Sequence, residues 1–373
     1  MKGLMVVLLS ATLLGCGGGG TIEEGNGSTP TPPSKVVTWQ PTTGGSWPVS
    51  TPSAEGLDQN KIIAAYNAGA AVSGLQSMLV MRRGQLVAET YYGSRTATTQ
   101  FQLRSATTTV MANLIGIAIA QGKIRSVNQP ITDFLSKDYA ALLTNKGGIT
   151  IAHLLTMSSG ISWDETTVDG YTPFATAADP TRYVLQQGML NSPGSRFNYN
   201  SGGMHLLSVI ISKATGMTTA QYAQQVLFTP LGISNYQWEM LTDGFYNGAS
   251  GLQLTARDFA KLAVLWQQDG VWQSKRVLPA GWQDLAKSLS QTQSRQIGGL
   301  AVNGYGYGWW LAQSGSPGNP AQLAWGWGGQ FALTIPALDF TVITLADPKP
   351  SNVALQEGNI MSLLYRQILP AIQ

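Results

Sequence analysis

Phe101-Gln102-Leu103-Arg104-Ser105-Ala106-Thr107-Thr108 opens the stretch whose reading decides the fold. Behind it Val110, Met111, Leu114, Ile115, Ala118 and Ile119 recur at three- and four-residue spacing, which lays them along one face of a helix ending near Gly122. A helix this apolar is expected to be buried. Ser105 then stands at its N-terminus, where free backbone N–H groups and the positive end of the helix dipole favour negative charge on the serine and an adjoining oxyanion. That suits an acyl-transfer nucleophile, although serine at such a position is more often a simple N-cap.

Working outward, residues 57–70 read as a helix, and 77–82 and 85–91, joined by Arg83-Gly84, as a β-hairpin. A long middle section holds helical stretches at 151–157, 206–213, 219–227 and 256–268. Strands return at 305–312, 322–325, 331–335 and 341–345, with Ala337-Leu338-Asp339 as a hairpin turn, and a helix over 352–368 closes the chain. This order predicts an α+β fold: an antiparallel sheet built from both chain ends, flanked by helices, with a mainly helical insert. No internal repeat interrupts it.

The first sixteen residues form a separate unit. Lys2 gives a positive start, residues 4–14 an apolar run too short to span a bilayer, and Leu13-Leu14-Gly15-Cys16 follows. This resembles a bacterial lipobox and implies lipidation at Cys16, the chain's single cysteine. Two acyl chains anchor a protein where one does not, so an exported, envelope-anchored protein is expected, facing the periplasm or surface from the outer membrane. Residues 17–53, rich in Gly, Pro and Thr, read as a flexible tether, leaving 54–373 as one globular domain. With 11% charged residues and a formal net charge of +3, the chain lacks the basic field that nucleic-acid binding requires. Two histidines and one cysteine offer no metal cluster, and no cofactor motif is present.

Two further segments bear on chemistry. Gly194-Ser195-Arg196-Phe197-Asn198-Tyr199-Asn200-Ser201 precedes a helix, and Trp325-Gly326-Trp327-Gly328-Gly329-Gln330-Phe331 leads into a strand. In that order and context, with residues 149–160 and 304–310 in support, the three segments resemble the serine beta-lactamase and penicillin-binding-protein superfamily, in its class C and esterase branch. The resemblance implies Ser105 as nucleophile and Tyr199 as the phenol that shuttles a proton. Ser201 stands where the motif has Asn. Gly328, Gly329, Gln330 and Phe331 would line the substrate site, with Trp327 as a wall. The oxyanion hole would combine the Ser105 N–H with one from the strand at Gly329 to Phe331. Trp163 and Tyr171 belong to an acidic, aromatic loop that is either a lid over the site or a solvated loop.

Thr108 departs from the Ser-x-x-Lys motif. Residue i+3 on a helix shares the face of residue i, so Lys there would set an amine beside the serine oxygen, and Thr has no useful pKa near neutrality. Trp327 likewise stands where the third motif carries its Lys. The expectation is a serine hydrolase acting without cofactor on a neutral ester or amide through an acyl-serine; the alternative is a catalytically impaired homologue that binds a cell-wall fragment or partner protein. His205, His153 and Arg104 are expected to be structural.

Overall fold

The computed structural model describes residues 37–43, 47–288, 290–315 and 318–373. Cys16, its lipobox and the tether as far as residue 36 lie outside the described residues.

The expected α+β fold is present. Its centre is an eight-stranded sheet: β1 (Leu75–Arg82), β2 (Gln85–Tyr91), β3 (Gln291–Ile297), β4 (Leu300–Gly306), β5 (Trp309–Ser314), β6 (Asn319–Gly326), β7 (Gln330–Ile335) and β8 (Phe340–Ala346). Neighbours pair antiparallel in the order β2-β1-β8-β7-β6-β5-β4-β3. The two chain ends meet where β1 pairs with β8, Leu79 opposite Ile343. Every residue of β7 and β8 is buried, and because successive side chains alternate sides, both faces of the sheet must be covered. Ala256–Gln267 lies against β7 and β8, while Gln59–Gly69 and Val353–Leu363 pack together at the chain termini.

The helix after Ser105 spans Thr107–Ala120 and is buried all round its first twelve residues, as an apolar helix without a polar face should be. Side-chain caps fix the starts of the others: Asp58, Asn200, Thr255 and Asn352 each accept a backbone N–H of the first turn. We label five helices α1 (Gln59–Gly69), α2 (Thr107–Ala120), α3 (Ser201–Thr215), α4 (Ala256–Gln267) and α5 (Val353–Leu363).

Three expectations are revised. The aromatic run 305–312 is not one strand: β4 and β5 break at Tyr307-Gly308, both in the left-handed region, with φ of 49° and 82°. β3 was not expected, since its polar residues are mostly exposed and carry no apolar alternation. The globular domain also starts before residue 54. Trp39 and Trp47 are buried; Trp47 packs edge-on against Trp272 at 5.3 Å, and its indole N–H donates to the Arg257 carbonyl. The Glu89 N–H donates to the Trp39 carbonyl, and Val49 bridges to Leu86 of β2. Two large aromatic side chains outweigh the Gly, Pro and Thr around them.

Candidate active site

Ser105 sits in a tight turn, Arg104–Ala106, that runs directly into α2. Phe101 and its neighbours pair with Leu252–Thr255, and the Leu103 N–H donates to the Leu252 carbonyl, so the approach to the serine is tied to a second, small sheet. Arg104 takes φ of 50°, a left-handed conformation that costs energy in a residue with a side chain. Its guanidinium donates to the Pro348 carbonyl at 2.6 Å, which gives it the expected structural role. The Ser105 side chain remains partly accessible.

Tyr199 arrives from the segment ahead of α3, and its phenol lies beside the Ser105 side chain, near enough for the serine to favour the phenolate. Burial pushes the Tyr199 pKa well up, and the nearby Glu165 carboxylate adds to that; Ser105 and Arg295 act the other way without cancelling it. The phenol is therefore protonated at neutral pH. Its ring stacks on Trp310, 6.0 Å between centroids and 4° between planes.

Thr108 is buried, and its hydroxyl donates to the Ser105 carbonyl at 2.8 Å and the Gly308 carbonyl at 3.3 Å. The fully buried Tyr305 brings its own hydroxyl beside Thr108, near enough to interact but without the geometry of a formed hydrogen bond. Tyr305 packs edge-on against Tyr199 at 6.2 Å and Trp310 at 4.9 Å. Neutral hydroxyls and a carbonyl thus surround the place a lysine amine would reach. A cation does stand at the rim: Arg295 of β3 lies 4.9 Å from the Trp310 ring centre and favours the Tyr199 phenolate.

On the opposite side β6 ends against the nucleophile's turn. A Cβ on Gly326 would fall 2.1 Å from the Leu103 carbonyl oxygen and 3.2 Å from the Ala106 nitrogen, so only glycine permits this approach. Gly328 and Gly329, at φ of 86° and 96°, then form the turn into β7. Its backbone groups are nearly all engaged. The Trp327 carbonyl accepts from Gln330, the Gly328 N–H donates to Glu357, and the Gly328 carbonyl accepts from Gln356. The Gly329 N–H donates to the Gly326 carbonyl, and the Gly329 carbonyl accepts from Thr344. Among the described residues, the turn's one backbone donor without a partner is the Trp327 N–H.

This geometry moves several expected roles. The Gln330 side chain is fully buried and engaged with the Trp327 and Ala346 backbone, so it does not face a substrate. Phe331 is buried within the sheet, and the Gly328 and Gly329 amides are committed elsewhere. Ser201 donates its hydroxyl and its N–H to the half-buried Glu165 carboxylate, which also accepts the Trp163 indole N–H. Burial raises the Glu165 pKa despite these donors. Trp163 is 9% exposed and packs edge-on against Phe174 and Tyr183, and the Tyr171 hydroxyl accepts from Asn247. Trp163 and Tyr171 are thus packed into the body, while Asp164, Thr166 and Thr167 of the same loop are exposed.

Both histidines are structural, as expected. His153 accepts the Thr150 N–H in a helix cap. His205 is fully buried 2.9 Å from Asp243; although burial opposes ionisation, hydrogen bonds from His205, Thr181 and the Phe245 N–H hold the Asp243 pKa down at about 2. No group of three or more metal-ligating side chains occurs among the described residues, nor does any helix there long and apolar enough to cross a membrane. A cavity of about 410 Å³ lined by residues 70–76 and 92–95 contains none of the residues around Ser105.

Tyr305, Arg295, Gln356 and Glu357 were not singled out in the sequence. The available signals were slight: a tyrosine inside a glycine-aromatic run, and a lone carboxylate in the closing helix.

A serine at the head of a buried helix, a phenol beside it and a glycine-lined strand alongside are set in a fold of the beta-lactamase and penicillin-binding-protein type. The family model described as Beta-lactamase matches residues 60–364, and the chain belongs to that family. The 6-aminohexanoate-dimer hydrolase of Paenarthrobacter ureafaciens is 23% identical over 222 residues, covering 55% of this chain and 55% of that protein. The chain thus spans about half the length of that curated relative. D-amino acid amidase from Ochrobactrum anthropi SV3 superposes with a TM-score of 0.67 at 17% identity, covering 84% of this chain and 98% of that one. The octameric penicillin-binding protein homologue from Pyrococcus abyssi gives 0.63 at 20% identity, covering 84% and 76%.

Proposed function

We propose that this protein is a serine hydrolase that cleaves a small ester or amide through an acyl-Ser105 intermediate. The observation that carries this reading is the Tyr199 phenol set beside the Ser105 side chain, next to a clamped turn with one free N–H. Because the phenol is neutral, it works as a relay rather than a standing base. Ser105 Oγ attacks the carbonyl carbon as its proton passes to Tyr199, and Tyr199 delivers its own proton to the departing alcohol or amine. The carbonyl oxygen gathers negative charge, which the N–H groups of Ser105 and Trp327 stabilise. Water then reverses the route: it gives a proton through Tyr199 to Ser105 Oγ, attacks the acyl carbon and releases the acid. The 6-aminohexanoate-dimer hydrolase and the D-amino acid amidase act, by their names, on amides, which supports that bond class here.

General-base assistance is worth roughly 10² to 10⁴ in rate, and position 108 supplies none. That favours a slow enzyme, or the second reading of a lapsed one that retains only binding. The deciding experiment is hydrolysis of p-nitrophenyl butyrate with mass spectrometry of the acyl-enzyme. Wild type is expected to carry one acyl group and Ser105→Ala none, with turnover lost by about 10³-fold or more; equal rates remove the serine from the mechanism.

We further propose envelope anchoring through lipidated Cys16, on the strength of the lipobox. Cys16→Ser is expected to shift the protein from the membrane to the soluble fraction of its host, and unchanged fractionation refutes the anchor.

A further inference from the structure

We propose that Glu357, assisted by Gln356, is a positioning residue that fixes the turn presenting the Trp327 N–H to the oxyanion. The inference rests on the acyl-serine reading above. Its basis is a grip on two successive peptide units, the ones that meet at Gly328. Glu357 accepts the Gly328 N–H at 2.8 Å, while Gln356 donates to the Gly328 carbonyl at 2.7 Å and the Asp347 carbonyl at 2.9 Å. The Trp325 indole lies near enough to Glu357 to favour its ionised form. Adjacent residues of α5 therefore hold a segment that glycine alone would leave loose.

A structural tie does not require a charge. Gln330 and Gln356, both neutral, already hold the neighbouring backbone, and a buried carboxylate pays a desolvation penalty that an amide avoids. What the carboxylate adds is a stronger, charge-assisted hydrogen bond to the Gly328 N–H. That bond resists rotation of the 327–328 peptide and so fixes the backbone at the Trp327 Cα, which joins that peptide to the one carrying the Trp327 N–H. An oxyanion donor acts only where it is aimed, and loss of one costs about 10² to 10³ in rate elsewhere.

The same burial makes the clamp sensitive to pH. Glu357 is 8% exposed, and burial lifts its pKa to about 7, while the Gly328 N–H and the Trp325 indole pull the other way. Among the described residues no other charged group acts on it. The ionised form makes the strong hydrogen bond, so kcat should rise with pH through about 7. Stability follows the opposite course. Between the ordinary carboxylate range and about 7 the folded state holds a proton that the unfolded chain has released, so stability falls as pH rises through that window.

The test uses the full chain with p-nitrophenyl butyrate. Glu357→Leu is expected to lower kcat roughly 10- to 100-fold with KM little changed. Glu357→Gln is expected to lose the kcat limb near neutrality and, relieved of its buried charge, to melt above wild type at pH ~8. Should the Leu variant fail to fold, the near-isosteric Gln variant decides through its pH profile and melting temperature. Folded variants with wild-type kcat and pH profile, alongside an inactive Ser105→Ala, overturn the clamp while leaving the serine reading intact. Full turnover by Ser105→Ala removes the acyl-serine reading, and the clamp falls with it.

Discussion

The two sides of the Ser105 site are built on opposite principles. On the glycine side the backbone of residues 327–329 is committed at five of six polar groups, by partners on β6, β7, β8 and α5. On the helix side the groups around the nucleophile are neutral and loosely paired: two phenols, a threonine hydroxyl and the Gly308 carbonyl. On the function proposed above, the first side stabilises charge and the second transfers protons without an amine. The difference separates two contributions to rate that enzymes of this kind combine.

Tyr199→Phe probes the helix side most severely. It keeps the ring on Trp310 and removes the relay, so kcat is expected to fall about 10² to 10⁴-fold, measured by ester hydrolysis with KM nearly constant. A loss as small as threefold would show that the phenol carries no proton and that the helix side contributes only shape. Thr108→Lys probes it more gently. The Gly308 carbonyl and Tyr305 crowd the site, so turnover should change by less than about tenfold and the melting temperature should drop, since inserting bulk into a packed core typically costs about 1–3 kcal/mol. A rise of several orders of magnitude would instead mark the natural protein as a lapsed enzyme.

Features that rest on local pattern were legible in the sequence. The spacing from Val110 to Ile119 gave the buried helix, and Arg83-Gly84 between two apolar runs gave the hairpin that became β1 and β2. The edge strand β3 was not legible, because a strand with solvent on most of its side chains has no alternation to read. Tyr307-Gly308 was hidden inside a continuous aromatic run. For the site, the three short segments located Ser105, Tyr199 and the glycine turn. Which amide of the turn stays free was not legible, since that depends on partners up to thirty residues away, such as Glu357. Gln330 and Ser201 likewise looked like substrate contacts and proved to hold the backbone and Glu165, a distinction that only packing supplies.

The docked segment around Trp39 and Val49 has a consequence for how the protein behaves among its own copies. Strand edges invite further strands, and this sheet has two edges. At β2, the Leu86 N–H is taken by the Pro48 carbonyl and the Glu89 N–H by the Trp39 carbonyl, so the chain seals its own border. At β3 the guard is chemical instead, a row of Gln, Ser and Arg that discourages edge-to-edge aggregation. A chain trimmed at residue 50 would keep every element around Ser105 and lose one of these two guards.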